Sequence, residues 1–346
     1  MGVAGAERLE CVDLSCPDVE RLAQQLRKAC LETGFFYVVN HGISEEFMAQ
    51  VFEQSRKFFT LPLEEKMKVY QDENVRGYTP IFDEKLDPAK QRLGDAKEGY
   101  YIRREVSGSD PRAKDPLQGP NQWPSPDTLP EWKQTMEMYF DQAEKLSRKL
   151  IKLIALALEL EESFFDKPGM FDHAMAAVRL LHYPAQASNP EEGFFGAGAH
   201  SDYGMLTLLA SDGVPGLQIC KEKDAKEQVW TNVQPLKGAF IVNLGDMLER
   251  WTNNLFRSTL HRVLNYGVER YSVSKMLDVF RIVMDYFRQI AFFMGPNFDC
   301  IVECIPTCCS ELNPSKFPPA KSGDHLLGRY KVTHKDYEAV ANRKYT

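Results

Sequence analysis

In the stretch GAHSDYG, residues 198–204, a histidine and a carboxylate stand two residues apart. On an extended strand that spacing turns both side chains to one face, so His200 and Asp202 can converge on one point. Two ligands from one strand leave a metal half-chelated, and a third must come from elsewhere. The chain has only seven histidines, and His261, in STLHRVLN, sits in another β-like run with apolar neighbours Leu260 and Val263. Two imidazoles and a carboxylate on one face leave adjacent coordination positions open. That suits a non-haem Fe(II) that must accept both an organic co-substrate and O2. Taken alone, the His-x-Asp spacing is weak and more often serves a plain hydrogen-bonded pair. Nine residues beyond His261 comes Arg270, and Ser272 follows two further on. A guanidinium fork beside a hydroxyl is a receptor for a carboxylate. If that strand runs beside the metal strand, the carboxylate lies inward of the metal.

Positioning these residues requires strands. From residue 176 onward short β-like runs alternate with turn signals: AAVRLLHY, GAGAHSD, LTLLASD, GLQIC, VWTNV, AFIVNLGD, STLHRVLN, then RYSV and IAFF. This spacing predicts an antiparallel sandwich or barrel rather than βαβ units. Upstream, DVERLAQQLRKACLETG predicts a helix stopped by Gly34, FFYVVN a strand, and Ser44 the cap of a second helix. Residues 71–128 read as a long irregular region with RGYTP and KEGYYI as extended pieces. Apolar spacing over 131–160 predicts one helix of about thirty residues, a scaffold for the sheet. Asp246 in VNLGD reads as a turn or capping group. LLGRYKVTHKDY is a candidate C-terminal helix over the site mouth.

Together GAHSDYGMLTLLASDGVPGLQIC, GAFIVNLGDMLERWTNNLFRSTLHRV and RYS closely resemble the plant 2-oxoglutarate/Fe(II)-dependent dioxygenases of the isopenicillin N synthase-like group, in its hyoscyamine hydroxylase-like branch. CLETGFFYVVNHGIS and KEGYYI extend the resemblance over nearly the whole chain. It implies a mainly β fold: a double-stranded β-helix (jelly roll) flanked by an N-terminal α/β region over 1–128, with scaffold helix and catalytic region over 129–346. It implies Fe(II) on His200, Asp202 and His261, 2-oxoglutarate and O2 as co-substrates, and ascorbate as reductant. The far carboxylate of 2-oxoglutarate is then expected at Arg270, Ser272 and Tyr183, while Leu181 stands where the group usually has an asparagine. Phe293 is expected in the substrate wall, and His182 on the opposite face in a structural role. The implied chemistry is iron-centred, with no separate acid or base: a small metabolite or hormone-like molecule is hydroxylated or otherwise oxidised, with release of succinate and CO2.

One stretch departs from the pattern. Residues 273–289 interrupt what is otherwise a seamless ERYSIAFF strand. Apolar residues at 276, 280, 283/284 and 287, with alternating charges between them, suit an amphipathic helix. Closing seventeen residues into a loop costs only about 2.5 kcal/mol. The segment begins with Val, whose codons start GT, and ends with Gln, which CAG encodes, so a retained intron or a gene-model error competes with a genuine insertion. The interruption keeps two further readings open: a homologue or splice form impaired at its anchor strand, and a family oxidase that does not use 2-oxoglutarate.

Composition narrows the classes. Of 346 residues 43% are hydrophobic and 26% charged, as in a soluble globular protein. A net charge of −7 argues against a nucleic-acid partner, which needs a concentrated basic face. The longest apolar run, LIALALEL, is too short to cross a membrane. With no secretory leader in view, the eight cysteines are expected as reduced thiols in the cytoplasm. The chain is expected to act as a monomer on a small molecule.

Overall fold

The computed structural model describes residues 4–7, 9–267 and 287–334. In chain order the elements begin with strands β1 (Ala4–Glu7) and β2 (Glu10–Asp13), helix α1 (Val19–Glu32), β3 (Phe35–Val39), α2 (Glu45–Phe59) and the short α3 (Leu63–Met67). Strands β4 (Gly77–Thr79) and β5 (Glu98–Arg103) follow, then the long α4 (Trp132–Ala157). The second half runs β6 (Ala174–Tyr183), β7 (Ala197–His200), β8 (Leu206–Ser211), β9 (Leu217–Cys220), β10 (Thr231–Val233), β11 (Phe240–Leu244), α5 (Asp246–Trp251) and β12 (Leu260–Val263). It closes with β13 (Phe287–Asn297), β14 (Ile301–Val302), β15 (Ala320–Lys321) and α6 (Ser322–Thr333).

Two sheets form the jelly roll. The major sheet has eight strands in the order β2-β3-β11-β8-β13-β6-β5-β4, and the minor has five, β1-β10-β9-β12-β7. The major sheet is covered on both faces, which is why β6, β8 and β11 read as near-continuous apolar runs. One face packs on α1, α2 and α4 through Leu26, Phe58, Trp132, Leu150, Val178 and Phe292. The other closes on the minor sheet through Phe35, Leu181, Leu209, Ile219, Val263 and Ala291. The helices end where their chemistry says they should. The side chains of Asp18 and Ser44 accept the N–H groups of Arg21 and Phe47 at 2.9 and 3.1 Å, each cap contributing about 1 kcal/mol. Past α1, Gly34 takes φ +66, and a Cβ there would meet the Arg257 carbonyl at 2.4 Å.

Two expectations are corrected. Strand β7 ends at His200, so Asp202 stands beyond the strand, in a loop. And Phe287 and Arg288, placed by their periodicity in a helix, begin strand β13, where Phe287 pairs with Tyr183 and Gln289 with Leu181. Local helical spacing loses there to two flanking strands whose ladder hydrogen bonds need a partner. Arg270 and Ser272, and the rest of the interrupting segment up to residue 286, lie outside the described residues.

Candidate metal centre

His200 and His261 are directly opposed partners in the β7–β12 ladder, with ring centroids 4.2 Å apart. Asp202 reaches the same point from its loop, which the turn after β11 clamps. The Asp246 N–H donates to the Asp202 carbonyl at 2.8 Å, and the Gly245 N–H to the Met205 carbonyl at 2.9 Å. Only glycine fits at 245, because a Cβ there would stand 2.3 Å from the Gly204 carbonyl oxygen. Asp202 Oδ1 lies 3.8 Å from His200 Nε2 and 3.6 Å from His261 Nε2. One ligand atom from each residue falls within 4.8 Å of the others.

The donor set fits a metal. Each Nδ1 faces a main-chain carbonyl, His200 to Gly198 at 2.8 Å and His261 to Thr259 at 3.0 Å. A carbonyl only accepts, so each Nδ1 carries hydrogen and each Nε2 is left to present a lone pair toward Asp202. The other carboxylate oxygen, Asp202 Oδ2, accepts from Thr207 Oγ1 at 2.5 Å and Asn243 Nδ2 at 2.7 Å. Thr207 and Asn243 are themselves cross-strand partners on β8 and β11. Burial opposes ionisation of Asp202, but His261, His200 and Asn243 outweigh it and hold the carboxylate ionised, far below its ordinary range. Burial, assisted by His261, pushes His200 down to about 3, so its imidazole is neutral at physiological pH. Burial opposes a charge on His261 too, but Asp202 prevails and raises its pKa.

The triad sits at the junction of two cavities. An outer one of about 700 Å³ has Leu86, Tyr101, Met175, Ala177, Phe293 and Leu326 in its apolar wall and Glu84, Arg103, Arg179 and Tyr330 at its polar end. An inner one of about 410 Å³ runs between the sheets past Leu181, Tyr183, Leu217, Val263 and Gln289. Phe293 borders both. Tyr183 is buried on the inner side, and its hydroxyl donates to Gln289 Oε1 at 3.1 Å. Leu181, in the seat of the missing asparagine, adds apolar wall. His182 turns away, bonded through Nδ1 to Glu98 at 2.6 Å and stacked on Phe59. Asp246 opens α5 and meets His325 of α6 at 3.1 Å, which ties that helix to the site.

Sequence reasoning missed a buried cluster behind the triad. Glu84 pairs with Arg179 at 2.8 Å and with Lys97 at 2.7 Å, and Lys97 also pairs with Asp95. Asp95 accepts the Gly198 N–H of β7 at 2.8 Å, one link from the carbonyl that orients His200. The available signal was DAKEGYYI, where alternation in an extended segment sends Asp95 and Lys97 inward. Arg103 was missed too. It is buried between the rings of Tyr101 and Tyr330 and donates to the Tyr330 hydroxyl at 2.7 Å, and among the described residues it has no carboxylate partner.

Comparison with known proteins agrees with this geometry. Residues 174–279 match the 2OG-Fe(II) oxygenase superfamily, and residues 9–126 match the N-terminal region described as non-haem dioxygenase in morphine synthesis. Azadirone synthase of Melia azedarach is 44% identical, over 94% of this chain and 93% of that protein. Kihadalactone A synthase of Citrus sinensis is 42% identical, over 96% and 95%. A full-length Neurospora crassa protein solved in complex with alpha-KG superposes with a TM-score of 0.76 at 30% identity, covering 94% of this chain and 96% of that one.

Proposed function

Because the chain belongs to the 2-oxoglutarate/Fe(II)-dependent oxygenase superfamily and is a dioxygenase of that kind, we propose that His200, Asp202 and His261 hold its iron and that the outer cavity takes a largely apolar plant specialised metabolite bearing an oxygen acceptor. The observation that carries this is the convergence of the three ligand atoms between two separate cavities. Such a site can seat a co-substrate on one side and a substrate on the other. The names of the two plant synthases support the metabolite class.

Iron(II), when bound with 2-oxoglutarate and O2, supplies oxidative decarboxylation to succinate and CO2 coupled to oxidation of a substrate C–H bond. The chain's own residues do the rest. His200 and His261 offer Nε2, and Asp202 offers Oδ1 while Thr207 and Asn243 fix its other oxygen. Phe293, Met175 and Leu86 exclude water, which protects the reacting centre from side reactions. Arg103 and Tyr330 present hydrogen-bond donors at the cavity's polar end and orient a carbonyl or carboxylate of the substrate. No protein acid or base is required.

The finer placement follows from the same features. Eight free thiols support a reducing, cytoplasmic setting. We read the chain as a monomer. The test is succinate release from 2-oxoglutarate with Fe(II) and ascorbate against a panel of oxygenated terpenoids and hormone-like acids. Release should rise with one class and vanish in His200→Ala and Asp202→Ala. Persistence of substrate-coupled release in both variants would exclude the triad.

A further inference from the structure

A third cavity, of about 1380 Å³, backs onto the outer one and has no part in the chemistry described so far. Arg103 and Met175 line both, so these two side chains form a shared wall. Where the outer cavity is mainly apolar, the third is charged: five of its lining residues are Arg or Lys and three are Asp. The carboxylates, Asp115, Asp172 and Asp299, stand at its exposed mouth. The cations of the mouth are already neutralised, Arg104 by Glu144, Arg112 by Asp110 and Lys321 by Asp299. The floor differs. Arg76 and Arg103 are buried there beside Leu117 and Met175, and among the described residues neither guanidinium has a carboxylate partner.

Both charges are built into the fold. Arg76 is 0% exposed, and its Nη1 and Nη2 donate to the Arg104 and Leu117 carbonyls at 3.2 Å and to Asn121 Oδ1 at 2.8 Å. Every one of these acceptors is neutral, and its Nε has none. Asn121 fastens the two arginines together, because the same Oδ1 accepts the Arg103 N–H at 2.9 Å. Arg103 gives its Nε to the Val75 carbonyl at 3.3 Å and its Nη2 to the Tyr330 hydroxyl. A guanidinium carries five N–H groups, so Arg103 keeps donors in hand at the wall between the cavities. Burial pushes the Arg76 pKa down to about 9, and repulsion from Arg103 adds to that push, yet the group stays charged at neutral pH. Val75, just before Arg76, and Leu117, whose carbonyl it bonds, take φ 57 and 63. Such left-handed values are unfavourable for branched side chains, and strain of this kind gathers at ligand sites. Two buried like charges without a counter-ion are a cost that an anion in front of them relieves.

We propose that the third cavity is a further compartment of the organic-substrate site and takes an anionic arm, a carboxylate carried past Met175 by an apolar skeleton that lies in the outer cavity. Arg103 contacts that carboxylate, and Arg76 supplies a buried positive charge behind it. This rests on the dioxygenase reading and narrows its substrate to an extended acid. The test is anaerobic calorimetry on the full chain, loaded with Mn(II) and then 2-oxoglutarate. The loaded chain is titrated with fatty, aromatic and terpenoid carboxylic acids, each beside its methyl ester. At least one acid should bind about tenfold or more tightly than its ester. Arg103→Gln and Arg76→Gln should each cut that preference to about threefold or less. If the fully buried Arg76 does not tolerate replacement, Arg103→Gln decides alone, with its thermal midpoint as control. Acetate and inorganic phosphate separate a substrate arm from a free-anion site, and either one binding as tightly as the best acid overturns the assignment. An unaltered chain that prefers no acid over its ester overturns the inference and leaves the dioxygenase reading intact, as does a preference that survives in the folded variants. Failure of the unaltered chain to bind 2-oxoglutarate in the loading step overturns that reading, and the inference falls with it.

Discussion

Asp202 has two oxygens, and the fold treats them differently. Oδ1 faces the two imidazoles, while Oδ2 is held by Thr207 and Asn243. Fixing one oxygen orients the other, so these two donors should matter to metal affinity without being ligands. Asn243→Leu and Thr207→Val should each weaken metal binding by about 10- to 100-fold, measured by titration at fixed pH with the thermal midpoint as control; unchanged affinity would discard that role. That His200, Asp202 and His261 would converge was legible from residue type and chain position, although Asp202 reaches the point from a loop and not from the strand. Thr207 and Asn243 were not, because each is one polar residue inside an apolar strand and its partner lies on a loop that no local pattern places. Arg103 makes the corresponding case in the outer cavity. Arg103→Gln should raise the KM for the organic substrate and leave that for 2-oxoglutarate near its starting value, since Arg103 borders the outer cavity and not the inner one. A shift confined to 2-oxoglutarate would contradict its placement.

At the scale of elements, the candidate metal centre depends on β7, β12 and a clamped loop, and the proposed co-substrate end depends on β13. Strand β13 lies at the middle of the major sheet, paired with β6 and β8. Its slot is therefore worth two ladders of hydrogen bonds, and leaving it short would strand buried backbone groups. This explains why Phe287–Gln289 extend the strand although their spacing suits a helix. Amphipathic periodicity reports what a segment can do alone, and a waiting pair of strands outweighs it. Removing residues 273–289, so that Ser272 joins Ile290, should place Arg270 and Ser272 at the two strand positions that Phe287 and Gln289 fill in the ladder with β6. Charge-assisted bonds are roughly twice as strong as neutral ones, so the shortened chain should bind 2-oxoglutarate about tenfold more tightly, with metal affinity unchanged. Equal 2-oxoglutarate affinity in the two chains would show that these positions do not set it. The long α4 and the jelly-roll strands were legible because each repeats its own period over many residues.

Across the whole molecule, α6 is joined to the catalytic sheets through buried charge. Glu84 meets Arg179 and Lys97 on one side and His334, at the end of α6, on the other, with His334 Nε2 3.6 Å from Glu84. The Lys85 N–H donates to the Thr333 carbonyl at 2.8 Å, fastening the same corner. Burial opposes a charge on Glu84, but Arg179 and Lys97 keep it ionised well below its ordinary range. His334 goes the other way. Burial pushes its pKa down to about 4, and Arg179, Lys97 and Arg103 add to that push against the pull of Glu84. A base whose folded pKa lies below its unfolded value takes its proton more readily when unfolded. Its contribution is complete above about pH 6.5 and is lost as pH falls toward 4, a change on the order of 3 kcal/mol. Residues Leu326 and Tyr330 of the same helix wall the outer cavity, so protonation should loosen that wall together with the corner. Urea unfolding between pH 7 and pH 4 should therefore show a steeper loss of stability for the unaltered chain than for His334→Phe. Hydrogen exchange in α6 should accelerate over the same pH range in the unaltered chain alone. Parallel stability curves for the two proteins would mean that His334 does not titrate at this corner and that the acid sensitivity of the fold lies elsewhere.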